Sequence, residues 1–223
     1  AFGGQLYDPG TLEPTLDHPG NIAAFEWLAE YYETFDITRI RRFQAGWGDL
    51  ASPYNPFYRG QIAMQEGGQW EVLSTSRYAP DLNWGVTTFP APEGGRSDVT
   101  PVQSSFWVVP RAAVNGDAAF EFLVWLTAPE QSARFAAALA NIPPRQDALA
   151  LPAFAETITP HMQVYLDMLQ GGFVFTPPGL PVGLYLSEQL NQALASVQDG
   201  TVSAAEALQT AQRNVMRELE KYD

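Results

Sequence analysis

The chain has 223 residues, 46% of them hydrophobic and 17% charged, which is enough to bury a substantial core and lies outside the composition of disordered chains. Its net charge is −13 and Lys221 is the only lysine, so the clustered cations that phosphate-backbone binding needs are missing and no nucleic-acid partner is expected. Cysteine is absent, which removes disulfide frameworks, thiol catalysis and thiolate metal sites, and no apolar run is long enough to span a bilayer.

The sequence starts at Ala1 without an initiator methionine or a charged leader, and reads as a mature product or an excised piece. The first predicted helix covers 19–32. Pro19 falls in its first turn, where a missing N–H is harmless, and His18 is expected at the cap. Ala24, Trp27, Leu28 and Tyr31 share one of its faces at helical spacing. Arg39, Arg41 and Arg42 read as the solvated end of a helix. Gly46, Gly48 and Ala51 have the spacing of a dinucleotide-binding turn, but no apolar strand precedes them, so the segment reads as a loop.

Residues 57–70 are the most informative stretch. They read as the end of a polar helix, a tight turn at Gly60, a short strand over 62–64, and a turn at Gly67 and Gly68 that delivers Trp70. The two glycines are expected to permit positive φ and let backbone N–H groups approach a ligand. Two readings of Trp70 stand side by side: an amphipathic ring stacking on a ligand, or a plug in the core.

Strands are predicted over 84–89, ending at Pro90, and over 103–109, ending at Pro110, with a Pro- and Gly-rich turn between them. A helix over 117–126 presents Ala118, Phe122, Trp125 and Leu126. Thr127 and Glu130 fit a capping box that starts a helix running through 140, and Arg145 is expected to cap the end of that helix. Further helices are predicted over 161–169, 185–197 and, after a capping box of Ser203 and Glu206, through Leu219. Strands alternating with helical patterns indicate an α/β fold.

Motifs for catalysis are lacking. There is no H-E-x-x-H or G-x-S-x-G, and the lone lysine lies too late in the chain for a P-loop. His18 and His161 are far apart in sequence, and Glu26, Glu30 and Glu33 have the spacing of a solvated helix face. No metal or cofactor is expected. A glycosidase-type carboxylate pair is not excluded by counting, but no enzyme activity is expected.

The order of the blocks resembles the bacterial extracellular solute-binding proteins that serve sugar ABC transporters. The resemblance runs from the entry Phe2, Gly3, Gly4, Tyr7 and Asp8 through the first helix and the 60–70 block. It continues with Trp84 to Phe89 and its Pro-Ala-Pro exit, Phe106-Trp107-Val108-Val109-Pro110, the helix that starts near Ala118, Ala128-Pro129-Glu130-Gln131, Ile142-Pro143-Pro144-Arg145, and the ending from Gly200 to Leu208. It implies an α/β fold: a periplasmic-binding-protein-like second lobe with a hinge-crossing segment, the N-terminal part of the first lobe being absent. In these terms residues 1–98 are the α/β part of the second lobe, 99–140 cross the hinge, and 141–223 return as a C-terminal helical part.

The implied function is an extracytoplasmic binding component, in the periplasm or at the cell surface, that takes a neutral mono- or oligosaccharide into an interlobe cleft and delivers it to a membrane permease. The implied cleft residues are Gly68, Gln69 and Trp70 from the turn, Ser104, Ser105 and Phe106 from the strand, and Gly179 and Tyr185 from the late loop. For Ser104 and Ser105, packing under a helix is an equal alternative. The sequence departs from the family pattern in Thr176-Pro177-Pro178-Gly179-Leu180-Pro181, where no arginine stands. A glycoside-processing enzyme and a non-catalytic surface module are the alternative functions. The strand over 103–109 is expected to lack sheet neighbours and to expose an apolar edge open to self-association.

Overall fold

The computed structural model describes residues 1–47, 52–176 and 179–222. Gly48 to Ala51 of the glycine-spaced loop, and Pro177 and Pro178 of the late loop, lie outside the described residues. The elements in chain order are α1 (Pro19–Phe35), α2 (Ile37–Gln44), α3 (Glu71–Tyr78), β1 (Val99–Pro101), α4 (Gly116–Leu126), α5 (Pro129–Ala138), α6 (Gln146–Leu149), α7 (Pro152–Ala155), α8 (Pro160–Gly171), β2 (Phe173–Phe175), α9 (Gly183–Gln198) and α10 (Ala204–Leu219). They fall into two compact units. The first comprises Ala1–Gly46, Thr88–Pro101 and Phe175–Asp223, and the second Trp47–Thr87 and Val102–Val174.

The core of the first unit is a helical seam. Ala204, Ala207, Leu208, Ala211 and Val215 recur at three- and four-residue intervals on α10 and are buried, which gives that helix one apolar face. It packs with Leu186, Ala193 and Val197 of α9 and with Leu16 and Val182. Leu16 reaches this core because the Gln212 side chain grips its loop twice: the Leu16 N–H donates to Gln212 Oε1 at 2.7 Å, and Gln212 Nε2 donates to the Pro14 carbonyl at 2.7 Å. The Asn21 amide adds bonds to the carbonyls of Gln5, Thr15 and Leu16. As expected, α1 starts at Pro19 and His18 Nδ1 accepts from the Gly20 N–H at 3.1 Å. At the far end of α1, Asp36 takes φ 60°, a conformation its short polar side chain tolerates, and its carboxylate accepts from the Thr38 N–H to begin α2.

The second unit has a smaller core of Ala133, Ala136, Ala148 and Phe154, contributed by α5, α6 and α7. Two expected caps are corrected here. Thr127 closes α4 rather than opening α5: its hydroxyl donates to the Leu123 carbonyl at 2.7 Å and so is turned away from the α5 amides. The N-cap of α5 is Ala128, with no side-chain bond, and Pro129 in the first turn leaves one N–H fewer to satisfy. Arg145 does not cap α5 either. It forms a two-pronged pair with Asp147 (Nε to Oδ1 2.9 Å, Nη2 to Oδ2 2.7 Å), while Ala140 at φ 48° lets the Asn141 N–H reach back to the Ala136 carbonyl at 2.9 Å. By contrast, Ser203 caps α10 as expected, accepting from the Glu206 N–H at 3.2 Å.

The strands over 62–64 and 84–89 differ most from expectation, having no ladder partner among the described residues. Residues 103–109, whose sheet neighbours were expected to be lacking, have none there either. The only strands there are β1 and β2, three residues each, paired in a two-stranded sheet. The apolar and β-branched runs specify extended backbone, but a ladder also needs a neighbour to receive its N–H and C=O groups. The expected end of a polar helix before Gly60 is instead a run of turns. Gly60 is required there, since it sits at φ 65°.

Candidate functional site

Trp70 stands at the start of α3, with its backbone already helical (φ −61°, ψ −19°). The residue is 54% exposed, so it does not plug the core. The six-membered ring lies against Gly68: a Cβ placed there would come within 2.3 Å of Trp70 Cζ3. Gly67 serves a different neighbour, since a Cβ there would lie 2.6 Å from Glu71 Cγ. Neither glycine takes a positive φ, which corrects the expectation; both are needed for the side chain they lack, not for left-handed backbone.

Behind the turn lies a small polar cluster. Glu71 Oε2 accepts from the Tyr58 hydroxyl at 2.6 Å and from Gln65 Nε2 at 3.1 Å. Tyr58 is 8% exposed and stacks on Tyr78, with ring centroids 5.9 Å apart. Burial, and then the bond to the Glu71 carboxylate, push the Tyr58 hydroxyl well above the ordinary tyrosine range. Burial followed by the nearby Glu71 charge raises Tyr165 as well. Gln69, at the tip of the turn, donates through Nε2 to Asn141 Oδ1 at 3.2 Å, tying the turn to the end of α5.

The expected contacts thus fall into three groups. Gly68, Gln69 and Trp70 come together at the start of α3. Ser104, Ser105 and Phe106 belong to the same unit and are exposed on the 103–109 stretch, Phe106 to 85%; no hydrogen bond or ring contact joins them to the turn among the described residues. No helix covers Ser104 and Ser105 among the described residues. Gly179 and Tyr185 belong to the first unit: Gly179 has open space around its Cα, and Tyr185 packs on the seam of α9 and α10.

Sequence reasoning missed Tyr58, Gln65, Glu71 and Asn141. Glu71 directly follows the singled-out Trp70, and that adjacency was the available signal. His161 stacks flat on Trp84 (centroids 4.2 Å, planes 11° apart), with Nε2 3.1 Å from the Trp84 carbonyl, and so has a structural role in the second unit. Among the described residues no group of three or more His, Asp or Glu side chains could hold a metal, and no helix is long and apolar enough to cross a membrane.

A family model described as bacterial extracellular solute-binding protein matches residues 3–162. A maltotriose-binding protein of Pyrococcus abyssi (strain GE5 / Orsay) is 26% identical over 163 residues, 68% of this chain and 32% of that protein. Among solved structures, CpMnBP1 with mannotriose bound superposes with a TM-score of 0.85 at 25% identity, over 96% of this chain and 55% of that one. The same protein with mannobiose bound gives 0.84 at 26% identity, over 96% and 54%. The chain therefore spans about a third of the curated relative and about half of the solved chains. Over that span it has the helix-rich α/β fold of periplasmic-type binding proteins.

Proposed function

The chain belongs to the bacterial extracellular solute-binding protein family, and from that premise we propose that it is part of the substrate-binding component of an ABC importer that binds a neutral mono- or oligosaccharide. The observation that carries this reading is the half-exposed Trp70 indole held against Gly68, an apolar face with a polar N–H of the kind that stacks on a sugar ring. The similar proteins support the same class, since one is a maltotriose-binding protein and the other is solved with mannotriose and with mannobiose bound. The proposed ligand contacts are Gly68, Gln69, Trp70, Ser104, Ser105, Phe106, Gly179 and Tyr185.

The proposed setting is outside the cytoplasmic membrane, with a membrane permease as partner and no chemical step performed on the sugar. The lobe assignment proposed is residues 1–98 and 141–223 to the second lobe and 99–140 to the hinge-crossing segment. Exposed Phe106 and Val108, on a stretch without a ladder partner among the described residues, support self-association through 103–109.

Titration of the full natural protein with mono- and oligosaccharides, following tryptophan emission and melting temperature, tests the function. A response to at least one sugar is expected. A clear response to an amino acid or peptide, with none to any sugar, would sink the carbohydrate reading.

A further inference from the structure

Trp70 itself makes no side-chain capping bond, and its ring is half open to solvent. Contact with Gly68 places the ring, and the backbone that carries it needs fixing as well. The adjacent Glu71 is anchored where Trp70 is not: its carboxylate folds back across Gly67, whose missing Cβ gives it passage, and collects the Tyr58 hydroxyl and the Gln65 amide on a single oxygen. Both partners precede the turn in sequence, so the carboxylate closes residues 58–71 into a loop clamped at its base. The negative charge also sits at the N-terminus of α3, where the helix dipole favours it. Between the Gln65 amide and the Glu71 carboxylate lie only the turn residues, and the chain has few ways to move the Trp70 backbone away from Gly68 without breaking a charge-assisted bond.

From this geometry we infer that Glu71 is the positioning residue for Trp70, holding the indole in a preset pose through Tyr58 and Gln65. Preset contact residues raise affinity by removing the ordering entropy that binding would otherwise have to supply. The ligand-binding consequence rests on the reading of Trp70 as a sugar contact, whereas the ordering of the indole does not.

The test uses the full natural protein with two variants, Glu71→Ala and the milder Tyr58→Phe, and Asp98→Asn in the first unit as a control. The Trp70 indole N–H resonance is assigned by its disappearance in Trp70→Phe. In Glu71→Ala, and to a smaller extent in Tyr58→Phe, this resonance is expected to shift and broaden, while in the Asp98→Asn control it stays in place. An unmoved Trp70 resonance in Glu71→Ala would overturn the inference, whatever the protein binds. If Glu71→Ala does not fold, an unmoved resonance in Tyr58→Phe overturns it equally.

A second arm measures mannotriose and maltotriose binding. Glu71→Ala is expected to weaken binding about tenfold, roughly the worth of one charge-assisted hydrogen bond, in the presence of Trp70 and to have no further effect in a Trp70→Ala background. Additive losses would show that Glu71 acts independently of Trp70 and would overturn the positioning role. If Trp70→Ala leaves sugar binding intact, the site reading fails while the indole resonance still judges the positioning.

Discussion

The seam of α9 and α10 and the surface of α4 are both rich in apolar side chains, yet they end differently. On α10 the apolar residues keep to one stripe, and Leu208 and Val215 are fully buried. On α4 large apolar residues point all round the helix, and none of its residues is buried: Phe120, Phe122, Val124 and Trp125 are all exposed. A helix that is apolar on every side is normally enclosed on every side, and the described residues enclose only part of this one. Phe106 and Val108, 85% and 78% exposed, extend the same pattern along 103–109. Apolar content therefore says that a segment can be buried, while a matching partner decides whether it is.

That contrast can be broken by measurement. The largest effect is expected from Leu208→Ala, which removes a fully buried side chain from the seam and should cost about 2–5 kcal/mol in thermal or denaturant unfolding. Phe122→Ala on α4 should stay within about 0.5 kcal/mol. Equal losses at the two positions would mean that α4 is covered in solution and that the contrast is false.

Next in size, Trp70→Ala should weaken sugar binding by about 2 kcal/mol, as truncation of an aromatic anchor does, with melting almost unchanged because the ring is half exposed. A fall in melting temperature as large as that of Leu208→Ala would place Trp70 in a core after all.

Helix caps give a smaller, sharper comparison. Thr159 accepts from the Met162 N–H at the start of α8, so Thr159→Ala should cost about 1 kcal/mol. Thr127→Ala, where the hydroxyl only returns to its own helix, should stay within about 0.5 kcal/mol. Reversal of that order would restore the capping role read from the sequence.

The smallest expected effect depends on pH. The Asp8 carboxylate accepts the N–H groups of Gly10 and Thr11, and the Thr11 bond first and the Gly10 bond second hold it below the usual carboxylate range. Its folded pKa is depressed, so its contribution to stability is present above the unfolded value of about 4 and fades as the pH falls through the lower folded value. The melting difference between the natural protein and Asp8→Asn should be constant from about pH 5 to 7 and narrow below about pH 4. A difference that grows on acidification would contradict the assignment.

Much of the helical framework was legible in the sequence. The start of α1 at Pro19, the His18 cap, the Ser203 cap and the run of α10 to Leu219 all rest on interactions within a few residues, which local pattern reports directly. What could not be read depends on distant partners. Whether 84–89 and 103–109 join a ladder is decided by a neighbouring strand, not by their own β-branched content. Thr127 was misread because two helices meet there and a single hydroxyl can serve only one. At the candidate site, the Gly67, Gly68 and Trp70 turn stood out, but the reason for its glycines lay in the side chains of Glu71 and Trp70 that fold over them. Tyr58 and Asn141 left no local trace, since their role appears only when the chain brings them to Glu71 and Gln69.

The bond between Gln69 and Asn141 joins positions separated by 72 residues through a single pair of side-chain amides. Its consequence is historical as much as mechanical. If position 69 became glutamate, the Asn141 amide would have to turn over and present its NH2 in place of its oxygen, whereas an acidic residue at 141 would leave a glutamate at 69 with no donor to face. The two sites are therefore expected to constrain each other along a lineage: an acidic residue is tolerated at either position only while the other keeps an amide donor, so that the turn keeps its tie to α5.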